Sequence, residues 1–187
     1  MSETTDDKQF SEAATLRNGT PVTIRVMRPD DRERLVAAFA KLDRQSIYTR
    51  FFSFRKELPE GPLSRIDMID FVRLTALVVT TGADETIIGS ATYVADTAPD
   101  GSKSAEVAFT IEEDYQGQGL ASKLLAALAG IARRHGIARL TAEVLAENAA
   151  MLGVFQRGGL PMHKRRDGGV IHLELDLAQA PPDDKHP

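Results

Sequence analysis

The chain has 187 residues, 42% of them apolar and 27% charged, an ordinary balance for one domain with a proper core. A net charge of −4 gives no global attraction for nucleic acid, and the absence of cysteine removes a disulfide framework, a thiolate zinc site and a cysteine nucleophile together. No apolar run approaches membrane-spanning length, and Met1 to Phe10 is polar and acidic with no apolar leader core, so the chain reads as cytoplasmic with no membrane partner.

Residues 1–16 read as a disordered, acidic N-terminal segment. Val22 to Met27 alternates and is rich in β-branched residues, which predicts a strand. Arg28-Pro29-Asp30-Asp31 supplies a turn with helix-start acids, and Leu35, Val36, Phe39 and Leu42 follow at helical spacing. Between Gln45 and Phe54, aromatic residues stand among arginines. Base stacking is one reading of such a mixture. Ile47, Phe51 and Phe54 share a helix face, however, which favours core packing. Leu58 to Pro62 reads as a loop and Leu63 to Val72 as a short helix. Ala76 to Thr81 and Thr86 to Ala95 form strands around a turn at Gly82–Glu85, and Lys103 to Ile111 is the next strand.

The stretch Asp114 to Ala121 then opens a strong helix. Leu120, Leu124, Leu128 and Ile131 make an apolar stripe, and Gly136 supplies the stop. Ala138 to Leu145 reads as a strand and Asn148 to Arg157 as a helix. Leu160 to Lys164 and Gly169 to Leu177 read as a final pair of strands, with Arg165 to Gly168 at the turn. Residues 179–187 read as a disordered tail, which leaves 17–178 as the domain. The order of elements is that of a mixed α/β, α+β-like layer with helices packed on a central sheet.

Gly117 and Gly119 at the helix entrance let backbone approach a ligand closely, and the N–H groups of the first turn have no intrahelical acceptor. The helix dipole adds partial positive charge, so phosphate is the natural guest. A P-loop needs Lys after its glycines, and none follows here. A dinucleotide fingerprint needs a third glycine where Ser122 stands, and it needs no gap such as Glu112 to Gln116 after the strand, although Glu143 imitates its ribose-binding acid. A plain glycine turn before a core helix is also open.

Gln116-x-x-Gly119-x-Ala121 resembles the Gln/Arg-x-x-Gly-x-Gly/Ala motif of the GCN5-related N-acetyltransferases, the GNAT superfamily, whose loop wraps the pyrophosphate of acetyl-CoA. Arg-Pro-x-Asp after the first strand and the element order from about Val22 to Leu177 are similar to that family as well. The resemblance implies a GNAT fold with a central, mostly antiparallel sheet of six to seven strands flanked by helices. It implies acetyl-CoA as co-substrate, no metal, and a primary amine as acceptor. Implied cofactor contacts are Phe109 and Ile111 on the strand, then Gln116, Gly117, Gln118, Gly119, Leu120 and Ala121 in the loop. Asn148 and Phe155 follow; Asn148 matches a family asparagine that meets the pantetheine arm or orders the helix start, and the position also suits a plain N-cap.

Phe155 stands where many members carry a tyrosine that protonates the departing thiolate, which puts that step in doubt. Glu106 matches the strand acid that is the general base in histone-type members, and Glu143 is the rival base. The apolar neighbours Val107 and Phe109 predict partial burial of Glu106. The chain further resembles Pat-type protein lysine acetyltransferases through Tyr48-x-Arg50-Phe51-Phe52, Ala105-Glu106 and Glu143-Val144-Leu145-x-Glu147-Asn148. That likeness implies a protein lysine ε-amine as acceptor. A small amine or amino acid is the alternative, and a catalytically silent acetyl-CoA-binding module is the rival of another class. His135, His163 and His172 lack metal-ligand spacing, and His163 to Arg166 reads as a solvated basic turn.

Overall fold

Alternating β-branched runs need a partner edge for each backbone N–H and C=O, and here they find it in one sheet. The computed structural model describes residues 7–51 and 60–178. Its strands are β1 (Ser11–Thr15), β2 (Pro21–Val26), β3 (Leu74–Thr81), β4 (Thr86–Thr97), β5 (Lys103–Ile111), β6 (Arg139–Leu145), β7 (Met162–Asp167) and β8 (Val170–Asp176). They form a single eight-stranded sheet in the order β1-β2-β3-β4-β5-β6-β8-β7. Every neighbouring pair is antiparallel except β5 and β6. The helices are α1 (Arg32–Lys41), α2 (Arg44–Phe51), α3 (Glu60–Ser64), α4 (Leu120–Arg134) and α5 (Ala149–Arg157).

Strand alternation sends successive side chains to opposite faces, and each face carries an apolar cluster. Leu77 and Val79 join Leu120, Leu124, Leu128 and Ile131 of α4 in the larger core. Ala76 and Val78 join Met27, Ile66 and Ile87 in a smaller one, against which Leu35 and Ala38 of α1 pack. Beside the smaller core lies an ion pair between Arg25, 2% exposed, and Asp31, 0% exposed. The guanidinium donates in bidentate fashion, Nη1 to Oδ2 at 2.7 Å and Nη2 to Oδ1 at 2.8 Å. The Arg28 N–H adds a third hydrogen bond to Asp31 at 2.8 Å.

The structure corrects four expectations. The sheet has eight strands rather than six or seven, because part of the supposedly disordered N-terminal segment is β1. Ser-Glu-Ala-Ala-Thr has little strand propensity; it is held by pairing from Ser11↔Arg25 to Thr15↔Pro21 and by burial of Leu16 just after it. Asp7 pins the start of this arm to the end of α4, through Arg134 and through His135 Nε2 at 2.9 Å. Burial pushes the Asp7 carboxyl up, but hydrogen bonds from Arg134 and His135 outweigh it and hold the group below the ordinary carboxylate range.

The expected helix from Leu63 to Val72 stops early. α3 ends at Ser64 and a single 3-10 turn covers Ile66–Met68. Asp70 Oδ1 then accepts from the N–H groups of Val72, Arg73 and Leu74, which competes with helix continuation. Phe71 follows at φ 65, and its carbonyl accepts from the buried Tyr93 hydroxyl. Finally, the last hairpin turns at Gly168-Gly169, with Gly168 at φ 56, so Arg165 to Asp167 lie in β7 and not in the turn. Phe54, the Leu58–Pro59 part of the expected loop, residues 1–6 and the tail from 179 lie outside the described residues.

Candidate active site

The loop between β5 and α4 sits over a cleft of about 290 Å³. Gly117 has φ 72 and Gly119 φ 87, a region that side chains with a Cβ rarely adopt. No atom lies within 4 Å of a Cβ built on Gly117, and the nearest to one on Gly119 is Arg17 Nε at 3.8 Å, so conformation rather than crowding calls for glycine here. The loop carbonyls are turned toward the β1–β2 connection. Arg17 Nη1 donates to the Gly117 carbonyl at 3.1 Å, and the Arg17 N–H lies 3.5 Å from that of Gln118. The Asn18 N–H donates to Gln118 Oε1 at 3.1 Å. Among the described residues the N–H groups of Gly117, Gln118 and Gly119 have no backbone acceptor. With the first turn of α4 beginning at Leu120 and Ala121, the loop has the geometry of an anion cradle.

Gln116 works through its side chain, which ties the loop to its surroundings. Its Nε2 donates to the Ile111 carbonyl at 3.0 Å and to Ser46 Oγ of α2 at 3.1 Å. Asn148 caps α5, accepting from the Met151 N–H at 3.1 Å, and also lines the cleft. The N-cap and ligand-contact readings of this residue are thus compatible.

The second feature is a break in the sheet. β5 pairs with β6 only from Ser104↔Arg139 to Glu106↔Thr141. Beyond that point β6 continues against β8 as far as Leu145↔Val170, while β5 runs on against β4. The gap holds a cavity of about 110 Å³. Phe109, Met151 and Phe155 line it from the α5 side, and Arg50, Glu106 and Glu143 line it as well. Phe155 is 1% exposed and meets Phe109 edge-on, ring centroids 5.9 Å apart. The edge that β5 loses at Glu106 leaves its backbone groups from Val107 to Ile111 without a β6 ladder, open to a ligand that binds as a strand would.

Glu106 and Glu143 share one face of the sheet, because Thr141 pairs with Glu106 and Glu143 is two residues on. Both are exposed. The expected burial of Glu106 is therefore wrong: Val107 and Phe109 point to the opposite face and cannot cover it. Glu143 Oε1 is engaged, 3.2 Å from His172 Nδ1 across the β6–β8 pair. Arg50 on α2 stands near Glu106. Burial pulls its guanidinium below the ordinary value, the Glu106 carboxylate pulls it back up, and Arg65 adds to the lowering.

Of the loop and helix residues anticipated for the cofactor, all but Gln118 line the cleft or the gap; Gln118 instead turns its side-chain oxygen to the Asn18 N–H. Arg17, Arg50, Ser46 and Arg157 join them without having been anticipated. Arg17 reaches the loop across a sequence separation of 100, which no spacing rule can see. Among the described residues no three His, Cys, Asp or Glu side chains come together as a metal cluster, and no helix is long and apolar enough to cross a membrane.

Comparison with known proteins bears on this geometry. The sequence pattern of the acetyltransferase (GNAT) family matches residues 44–159. Acetyltransferase Pat of Mycolicibacterium smegmatis is 34% identical over 172 residues, covering 92% of this chain and 50% of that protein. Acetyltransferase PA5475 of Pseudomonas aeruginosa is 32% identical over 139 residues, covering 73% of each. Among solved structures, the GNAT domain of S. lividans PAT superposes with a TM-score of 0.79 at 35% identity, covering 89% of this chain and 96% of that one. The chain thus spans half the length of the M. smegmatis relative but nearly the whole of the S. lividans domain.

Proposed function

The chain belongs to the acetyltransferase (GNAT) family, and from that membership we propose that it transfers acetyl from acetyl-CoA to a protein lysine ε-amine, with Glu106 as general base. The observation that carries the mechanism is the parting of β5 and β6 at Glu106, with the anion cradle on one side and a carboxylate on the other. Acetyl-CoA, which the family implies, fits the residues present: N–H groups at Gly117 to Ala121 for the pyrophosphate, and the unladdered edge of β5 for the pantetheine amides. The thioester would then reach the gap, one wall of which Phe109 and Phe155 form together.

A lysine amine has a reference pKa of about 10.4 and arrives protonated at neutral pH. Glu106 stands exposed on the face from which the amine enters and takes that proton, directly or through a water. The lone pair then attacks the thioester carbonyl; as the C–S bond breaks, the nitrogen gives its second proton to the departing thiolate or to water, leaving the amide and CoA. Phe155 offers no phenol to the thiolate; at a thiol pKa of about 8.5 the group departs without one. Glu143 is held by His172 and serves as a neighbour rather than the base. Co-binding of both substrates across the gap supplies much of the rate through positioning.

The choice of lysine rests on the likeness to Pat-type enzymes and on the openness of the Glu106 face, which a side chain on a protein surface can reach. The test is release of free CoA from acetyl-CoA with lysine peptides, free amino acids and small amines, followed by mass-spectrometric mapping of acetylated residues in lysate. Turnover with lysine peptides is expected. Turnover only with small amines would favour the small-molecule reading, and acetyl-CoA binding without CoA release from any amine would favour a silent module.

A further inference from the structure

Acetyl-CoA carries several negative charges, and this chain is itself acidic, with a net charge of −4. Binding therefore requires local cations. Among the described residues, the charged side chains at the walls of the cleft are Arg17 and Arg157, with no carboxylate beside them. Arg157 lies along α5, its Nη1 2.7 Å from where a Cβ on Gly153 would stand. Arg17 is different. It comes from the turn between β1 and β2, and its Nε is 3.8 Å from the position of a Cβ on Gly119, against the cradle itself. One N–H is used on the Gly117 carbonyl, and a guanidinium has further donors to present to an anion.

We infer that Arg17 is a pyrophosphate-binding residue, and that the N-terminal β1–β2 arm completes the cofactor site by carrying it. The inference rests on the acetyl-CoA reading above. Two features make the arm a rigid support. Its start is fastened to the C-terminal end of α4 by Asp7, through Arg134 and His135. Its turn is fastened to the loop at the N-terminal end of α4 by Arg17 and Asn18. The arm thus spans the helix whose N-terminus faces the anion. By binding the Gly117 carbonyl, Arg17 also keeps that oxygen turned from the phosphate, while its charge compensates the ligand.

The experiment is calorimetric binding of CoA and 3′-dephospho-CoA to the wild-type chain, Arg17→Gln and Arg17→Lys, at low and high salt, with thermal melts to verify folding. Arg17→Gln should weaken both ligands by the same factor, on the order of tenfold. Arg17→Lys should recover part of that loss. The salt dependence of binding should be shallower in Arg17→Gln than in wild type, because an ion contact is missing. A purely structural role for Arg17 would weaken binding with no change in salt dependence, and that result would overturn the inference. So would unchanged affinity, or a defect with CoA that vanishes with 3′-dephospho-CoA, which would move Arg17 to the 3′-phosphate. Failure of the wild-type chain to bind CoA at all would refute the acetyl-CoA reading instead.

Discussion

Asp31 offers a sharp test of how the fold is held. It is fully buried, it receives two hydrogen bonds from Arg25 and one from the Arg28 N–H, and Arg34 Nη1 approaches at 3.3 Å. Asp31→Ala leaves the Arg25 guanidinium buried with its main counter-charge gone; Glu85 Oε1, 3.2 Å from Arg25 Nε, is half-exposed and compensates only in part. Breaking a buried pair from one side costs about 3–5 kcal/mol. Total stability for a domain is about 5–15 kcal/mol, so the variant loses a large fraction of it. For a chain of this size that corresponds to a fall in Tm of about 6–20 °C.

Burial alone would raise the Asp31 pKa, but the Arg25 and Arg28 hydrogen bonds hold it below the ordinary range. A depressed folded-state pKa means that the stabilisation is complete above the unfolded value, near 4, and is lost as pH falls through the folded one. The assay is urea denaturation of wild type and Asp31→Ala between pH 3 and 7, together with Arg25→Met/Asp31→Leu. The gap between wild type and Asp31→Ala should narrow toward the acid end, and the double variant should recover most of the loss. A loss below about 1 kcal/mol at pH 7, the range of a surface pair, would mean that Asp31 does not hold the fold in this way.

Two further outcomes concern the cofactor side. Gly119→Val places a β-branched residue at φ 87 and should weaken acetyl-CoA binding strongly, while Gln118→Ala, which loses only the bond from the Asn18 N–H, should matter less. Equal CoA affinity for wild type and Gly119→Val in calorimetry would remove the cradle from the account. Phe155 lines the gap, so if the thiolate departs there as proposed, Phe155→Tyr should leave turnover unchanged or raise it. A large loss of activity with folding and acetyl-CoA binding intact would mean that Phe155 sits elsewhere relative to the thioester.

Local chemistry was legible in the chain. The α4 stripe, the glycines at its entrance and the Asn148 cap each depend on neighbours within a few residues, and each is present as anticipated. Contacts between distant parts of the chain were not legible. β1 has no strand signature of its own and exists through its partner β2. Arg17 has no signature in sequence, and Arg50 stood out only as part of a family-like run; tertiary folding brings one to the loop and the other to Glu106. The side of the sheet on which Glu106 stands follows from strand alternation, but its exposure depends on what covers that face, which neighbours in sequence do not report. The parting of β5 from β6, which makes the site, is a property of pairing and is written in no single segment.

In the proposed mechanism an amine loses its proton to Glu106 at the mouth of the gap. The direct measurement is a pH–rate profile of CoA release with one lysine peptide, for wild type, Glu106→Gln and Glu143→Gln. Glu106→Gln should cut turnover on the order of 10²-fold or more near neutral pH, with acetyl-CoA binding nearly unchanged. Raising the pH should recover part of the rate, because more of the amine then arrives without its proton. Glu143→Gln, which removes only the partner of His172, should do less. A large defect in Glu143→Gln alone would transfer the role to that residue, and full activity in both variants would contradict carboxylate catalysis at this site.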